Sequence, residues 1–286
     1  MEVNEVRDFA DRIKKSYYCR ADLCEKLISG NIGLEDHNIA LPPQDYNPFR
    51  NLYIDSYIIG CTALDGLSYI HQVLNSSAKT KITHQDRFVS FLQYLNVQQY
   101  LERVSTPFLN YSLEKKGIEE PFRQEIKKIW INNKEDKWKG ESHRIYCDPT
   151  IDEIKIVYED CHEQNSIPPE ITLKDINKTL KKFTYAALIY KFYRCSFVHE
   201  FRASEYTAIF NKGKQISIRE FGSYMLPSGK IVVLDDVQPQ LDVGIGVLTE
   251  SIRKGASIAH DLIVQKQCIT IPYDPNDEIK IETKAK

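Results

Sequence analysis

The sequence predicts a mainly α-helical protein with an inserted region of short helices and loops and a small β-hairpin near the C-terminus. Three observations carry this. Apolar residues recur three or four positions apart over residues 2–29, 83–103 and 172–201, the spacing that lines one face of a helix. The segment FRNLYIDSYIIGCTALDGLSYIHQVL, residues 49–74, is apolar on nearly every side, as a central buried helix is. Strand-like runs come late, in ISIREFGSYML and KIVVLDD on either side of Pro227-Ser228-Gly229, a hairpin pattern.

The first helix spans 2–29, with Val3, Val6, Phe9, Ala10, Ile13, Tyr17, Leu23 and Leu27 as its stripe and Gly30 and Gly33 as its end. Residues 34–48 form a proline-rich connection closing on Asn47-Pro48, an N-cap followed by proline at the first helical position. Within the apolar second helix Asp55 and Asp65 stand out, because a carboxylate removed from water needs partners. A third helix covers 83–103, with Phe88, Phe91, Leu92, Leu95, Val97 and Leu101 inward.

The character changes over 104–171, where both Trp, many Lys and several turn signals occur. This stretch reads as an insertion within one domain formed by 1–103 and 172–286, and DEIKIVYED within it as a strand. Residues 115–144 interleave Lys, Arg and Trp but also Glu and Asp. That mixture fits a solvated helical hairpin better than a stacking platform for nucleic acid. Thr172-Leu173-Lys174-Asp175 reads as a capping box. It opens a long helix through Ile176, Leu180, Phe183, Ala187 and Tyr190. Residues 237–265 read as the last helix and 273–286 as a polar tail.

Composition narrows the function classes. With 286 residues, 42% hydrophobic and 27% charged, the chain can bury a core without disulfides or metals. Its net charge of −2 argues against coating nucleic acid along the whole surface, though not against a local basic cleft. The apolar runs are too short to span a bilayer, and the charged N-terminal stretch is unlike a signal peptide. The 7 Cys lie at scattered positions without a CxxC pair, which points to free thiols in a reducing cytoplasm rather than a disulfide framework or a zinc site. Walker A, GxGxxG, HExxH, GxSxG and kinase signatures are missing. No cofactor and no metal is expected.

One local sequence is different. Residues 190–202 read Tyr-Lys-Phe-Tyr-Arg194-Cys-Ser-Phe-Val-His199-Glu-Phe-Arg202. This resembles the R-x4-6-H motif of the HEPN superfamily, where the motif follows an aromatic-rich helix. The order of parts over 2–103 and 172–210 is also similar to that family. The resemblance implies a HEPN-like helical bundle, a homodimer with its site in the dimer cleft, and metal-independent RNA cleavage in phage defence or stress response. Arg194 and His199 are then the catalytic pair, with Cys195, Glu200, Arg202 and Asp65 as accessory candidates. The position after the arginine, Asn in many members, is Cys195 here, and the tyrosine of the H-x-Tyr variants is Phe201.

The chemistry suits these residues. Imidazole transfers protons near neutral pH, and the planar guanidinium forks onto phosphate. RNA brings its own nucleophile, the 2′-hydroxyl. In a regular α-helix residues five apart are separated by about 140° around the axis. Arg194 and His199 therefore meet only if the helix ends or bends between them, or if two chains share the site. The rival expectation is a non-catalytic HEPN-like module that dimerises and binds RNA, a nucleotide or a regulatory protein partner. A third is an unrelated helical adaptor in which the motif is chance. A second Arg/His pair, Arg253 and His260, lacks the aromatic approach.

Overall fold

The computed structural model describes residues 3–29, 48–75, 82–116, 121–133, 145–163, 173–207, 213–225 and 231–271. The architecture is mainly α. Helices α1 (Val3–Ser29), α2 (Pro48–Asn75) and α10 (Ile245–Lys266) pack on one another, and α3 (His84–Leu95) closes one side of α2. The core of this unit includes Ala10, Ala21, Cys24, Leu64, Leu67, Phe88, Leu92 and Ile252. The stripe of α1 runs through Ala21, Cys24 and Ile28, all buried, whereas Leu23 is 41% exposed. Polar bonds pin the layers. Ser56 and Cys24 exchange hydrogen bonds with each other's backbone carbonyls at 2.9 and 3.2 Å, and Tyr18 meets Ser257 at 3.0 Å. Gly255 lets α10 approach α3, since a Cβ there would lie 2.9 Å from Phe91 Cζ.

Pro48 opens α2 as expected, while the 34–47 connection, the Thr172 capping box and the 273–286 tail fall outside the described residues. The third helix stops eight residues short of the expected end. Asn96 takes up a left-handed conformation (φ 44°, ψ 41°) and its N–H reaches the Leu92 and Gln93 carbonyls, an αL cap that terminates a helix. Leu101 is still buried, but in the turn that follows.

The insertion has its own core. Helices α4 (Thr106–Lys115), α5 (Phe122–Asn132) and α6 (Ile151–Glu163) bury Leu109, Leu113, Phe122, Ile126, Ile154 and Tyr158 together with Ile176 and Leu180 of α7 (Leu173–Lys181). DEIKIVYED is thus helical, not a strand. Ile154, Tyr158 and Cys161 share the buried face, and a capping box opens the helix: Thr150 N–H donates to Glu153 Oε2 at 2.7 Å and Glu153 N–H to Thr150 Oγ1 at 3.3 Å. The buried Asp148 ties this unit to the other, accepting from Thr106 Oγ1 at 2.6 Å and from Tyr185 Oη at 2.5 Å.

The long helix expected from 172 is broken. After α7 the chain turns at Lys182–Thr184, and the Thr184 hydroxyl caps the Ala187 N–H at 3.3 Å. Helix α8 (Tyr185–Ile189) then runs into a π-helical turn (Tyr190–Cys195) and the short α9 (Ser196–Glu200). The hairpin is present as antiparallel β1 (Ile216–Met225) and β2 (Ile231–Val243), with a register shift between Phe221 and Ser223. Residues 237–243, expected in the last helix, extend β2 instead. Leu241 and Val243 are buried there, and Gly244 provides the extended residue from which α10 starts.

Candidate functional site

The aromatic-rich run before Arg194 is what shapes its surroundings. Phe192 and Tyr193 are both buried although adjacent, and so is Phe197. Tyr57 of α2 packs on Tyr193 and Phe197 at ring distances of 5.3 and 5.5 Å. Tyr193 Oη donates to the Leu241 carbonyl at 2.9 Å and accepts from the Val243 N–H at 2.9 Å. The π turn is therefore clamped between α2 and β2, and Tyr193 is a packing residue as its position implies. Arg194 lies at the end of this π turn and His199 in α9 just beyond it, where the two long side chains reach each other. The chain then leaves the helix at Phe201, left-handed at φ 52°.

The result is that Arg194 and His199 meet within one chain. Arg194 Nη1 donates to His199 Nε2, and Arg194 Nη2 donates to Asp65 Oδ2 at 2.7 Å. Because a guanidinium only donates, the facing nitrogen of His199 must accept, which puts the proton of a neutral ring on Nδ1. The Arg194 cation also lies over the Tyr190 ring, 5.5 Å from its centre. The Nε of Arg194 is buried without a partner among the described residues.

Asp65 does not stand alone with Arg194. Arg87 of α3 donates from Nη2 to Asp65 Oδ1 at 2.8 Å and from Nε to Ser68 Oγ at 3.1 Å. The same Nη2 meets His84 Nδ1 at 3.2 Å. Side chains here are half-sheltered: Asp65 is 19%, Arg194 12% and Arg87 10% exposed. Burial pushes the Asp65 carboxyl up, but hydrogen bonds from Arg194 and Arg87 outweigh it and leave the group below its ordinary range. For Arg194 burial acts downward, and the Asp65 bond more than offsets it. Tyr190 is raised by burial and by the neighbouring Cys195 thiol.

Asp65, Arg194 and His199 thus converge, with half-buried Cys195 beside Tyr190. Glu200 and Arg202 do not join them: both are exposed and pair with each other at 2.7 Å. Asp55 faces solvent. The second pair has a structural role. Arg253 is held by Glu25 and Asp22 at 2.7 and 2.8 Å and His260 by Asp11 at 3.2 Å, so these bonds fasten α10 to α1, while His260 also meets its neighbour Asp261 at 2.9 Å. Sequence reasoning missed Arg87, Ser68 and His84. Their signal was indirect, since the carboxylate in an apolar helix required cations from somewhere.

Among the described residues no group of three or more His, Cys, Asp or Glu is placed to hold a metal ion. No described helix is long and apolar enough to cross a membrane. On α5, Arg123, Lys127, Lys128 and Ile131 line a cleft of about 290 Å³. Comparisons with known protein families, with curated proteins and with solved structures find no match to this chain.

Proposed function

We propose that this protein is a metal-independent endoribonuclease of the HEPN type, acting in the reducing cytoplasm, in which Arg194 holds the scissile phosphate and His199 moves a proton. The supporting observation is the meeting of Arg194 and His199 in a single chain, with Asp65 fixing the arginine's orientation. The reaction asks for little more. The 2′-oxygen attacks the adjacent phosphorus while a base takes its proton. The P–O5′ bond breaks and the leaving oxygen gains a proton. A fixed guanidinium stabilises the charge that builds on the phosphoryl oxygens. The Arg194–His199 contact within one chain takes away the angular argument for a homodimer, and the shared cleft stays as what the resemblance implies.

A second reading rests on Asp65. Its carboxylate already occupies one arm of Arg194's fork, which suits a module that binds RNA or a nucleotide and does not cut it. The two readings part in one assay. The ribonuclease cuts RNA in EDTA and spares DNA and 2′-O-methylated RNA of the same sequence. The binding module retains RNA and releases it whole.

A further inference from the structure

Three rings with a lysine at each end form a row from the π turn to the inserted helices: Lys191, Phe192, Tyr206, Tyr111, Lys115. Phe192 and Tyr206 stack with ring centres 5.0 Å apart, and Tyr206 meets Tyr111 of α4 edge-on at 6.3 Å. The Lys191 ammonium lies 5.1 Å from the Phe192 ring centre, and that of Lys115 lies 4.6 Å from the centre of Tyr111. Resting on the reading that Arg194 and His199 act on RNA, we propose that this row is a docking platform for single-stranded RNA. Tyr206 and Tyr111 stack bases, and Lys191 and Lys115 meet the phosphates.

Single strands are held by aromatic faces for the bases and cations for the backbone, and one series of contacts contains both. Phe192 is buried and packs on buried Phe108 at 5.3 Å, so it is the floor of the row. Tyr111 and Tyr206 are half-buried, each meeting solvent in part, while Lys115 and Lys191 are exposed. Tyr206 is fixed before any ligand arrives. The Leu241 N–H donates to its carbonyl at 2.7 Å, and its own N–H donates to Ser204 Oγ at 3.2 Å. The Thr207 hydroxyl closes the same turn onto the Ser204 carbonyl at 2.6 Å. A ring held in this way leaves little ordering to be done on binding. One opposing charge is present: Glu205 is exposed, and burial and then its carboxylate hold the Tyr206 hydroxyl above its ordinary range. Against two ammonium groups it leaves the charge of these side chains positive.

The position of the row gives it a role. Lys191 and Phe192 stand in the π turn that ends at Cys195, and Tyr206 follows α9, so this end belongs to the segment that carries Arg194 and His199. Tyr111 and Lys115 belong to α4 of the insertion. A strand lying along the row therefore passes from that segment onto the inserted unit, and the contacts on α4 hold nucleotides outside the bond to be cut. RNA too short to reach α4 gains nothing from Tyr111 and Lys115. A duplex hides its base faces in its own stack, so the rings favour a single strand. They are indifferent to sequence, because every base has a π-face.

The test measures binding of a fluorescent oligouridine, about 12 nucleotides long to match the span of such platforms, to the full-length protein. Its 2′-oxygens are methylated, which blocks cleavage. Tyr111→Leu and Tyr206→Leu should each weaken binding on the order of 5- to 150-fold, the worth of one stacked base. An abasic oligomer of the same length should bind wild type and both variants alike, a difference that a merely structural tyrosine would not produce. Tyr206→Phe, which keeps the ring, should bind as wild type does. Lys115→Gln and Lys191→Gln should each lower the salt slope by about 0.7, the value for one phosphate contact on a single strand. Lys127→Gln on α5, outside the row, should leave the slope unchanged, and Glu205→Gln should tighten binding. If a leucine variant does not fold, the lysine slopes and Tyr206→Phe decide. Leucine variants that fold and bind as wild type does, equal losses on the base-bearing and abasic oligomers, unchanged slopes in the lysine variants, or a duplex bound as tightly overturn the platform. So does displacement by polyglutamate as readily as by RNA. Each leaves the ribonuclease reading standing if wild type still cuts unmethylated RNA and His199→Ala does not. A wild-type protein that neither binds nor cuts RNA brings down both.

Discussion

Replacing Asp65 tests how the site is held. Its carboxylate accepts one charge-assisted hydrogen bond on each oxygen, from Arg194 at 2.7 Å and Arg87 at 2.8 Å. In Asp65→Asn the amide can still accept one of them, so the expected loss is about 1.5–3 kcal/mol, the worth of a hydrogen bond to a charged group. Asp65→Ala removes both and leaves two like charges facing each other at 10–12% exposure. Stranding buried charges in this way costs about 3–5 kcal/mol. Adding Arg87→Leu to the alanine variant should recover part of that, since the cost lies in the stranded cation. Urea unfolding measures all three. The acid limb provides the sign check. Asp65 titrates below its ordinary range in the folded protein. Its stabilising contribution is therefore full above the unfolded value of about 3.9 and disappears as pH falls through the lower folded value. Wild type should lose this component in acid and Asp65→Asn should not. An asparagine variant as stable as wild type, with the same acid limb, would refute the reasoning.

Two further outcomes follow from burial and backbone. With a thiol reagent at neutral pH, exposed Cys19 and Cys147 should react first and half-buried Cys195 next, while buried Cys24, Cys61, Cys161 and Cys268 stay protected in the native state. Burial pushes Cys24 up to about 12 and Cys61 higher still, so more than three fast thiols would contradict the fold. Phe201→Gly should raise stability by about 1 kcal/mol, because a side chain in the left-handed region is strained and the ring it removes is 70% exposed. A loss of that size on denaturation would mean that the ring is packed.

Much of this architecture was legible because it depends on periodicity. The all-round apolar character of α2, the stripe of α1 and the hairpin are properties of the chain itself. Boundaries were less so. Asn96 ends α3 by adopting a backbone conformation that no apolar pattern announces. Residues 152–160 alternate enough to look like a strand, and the buried face of Ile154, Tyr158 and Cys161 with the reciprocal Thr150–Glu153 cap, both overlooked in the sequence, sets a helix there. The break at Thr184 comes from tertiary contact, its backbone bridging to Val104. At the site, Arg194 and His199 were visible as a spaced pair, and Asp65 as a charge in the wrong company. The π turn that leads into the pair was not visible, because it goes with burying adjacent Phe192 and Tyr193 against α2 and β2. Arg87 and His84 are more than a hundred residues from the motif, and only the packing of α3 on α2 brings them in.

The most direct measurement is the cleavage of a defined RNA in EDTA by wild type and by His199→Ala, with both product ends identified. The account predicts 2′,3′-cyclic phosphate and 5′-hydroxyl ends from wild type. It predicts a fall of about 10²–10⁴-fold for the variant, the contribution of one positioned proton-transfer group, with its unfolding curve unchanged because His199 is exposed. Equal cleavage by the two proteins, or 3′-hydroxyl and 5′-phosphate ends, would contradict it.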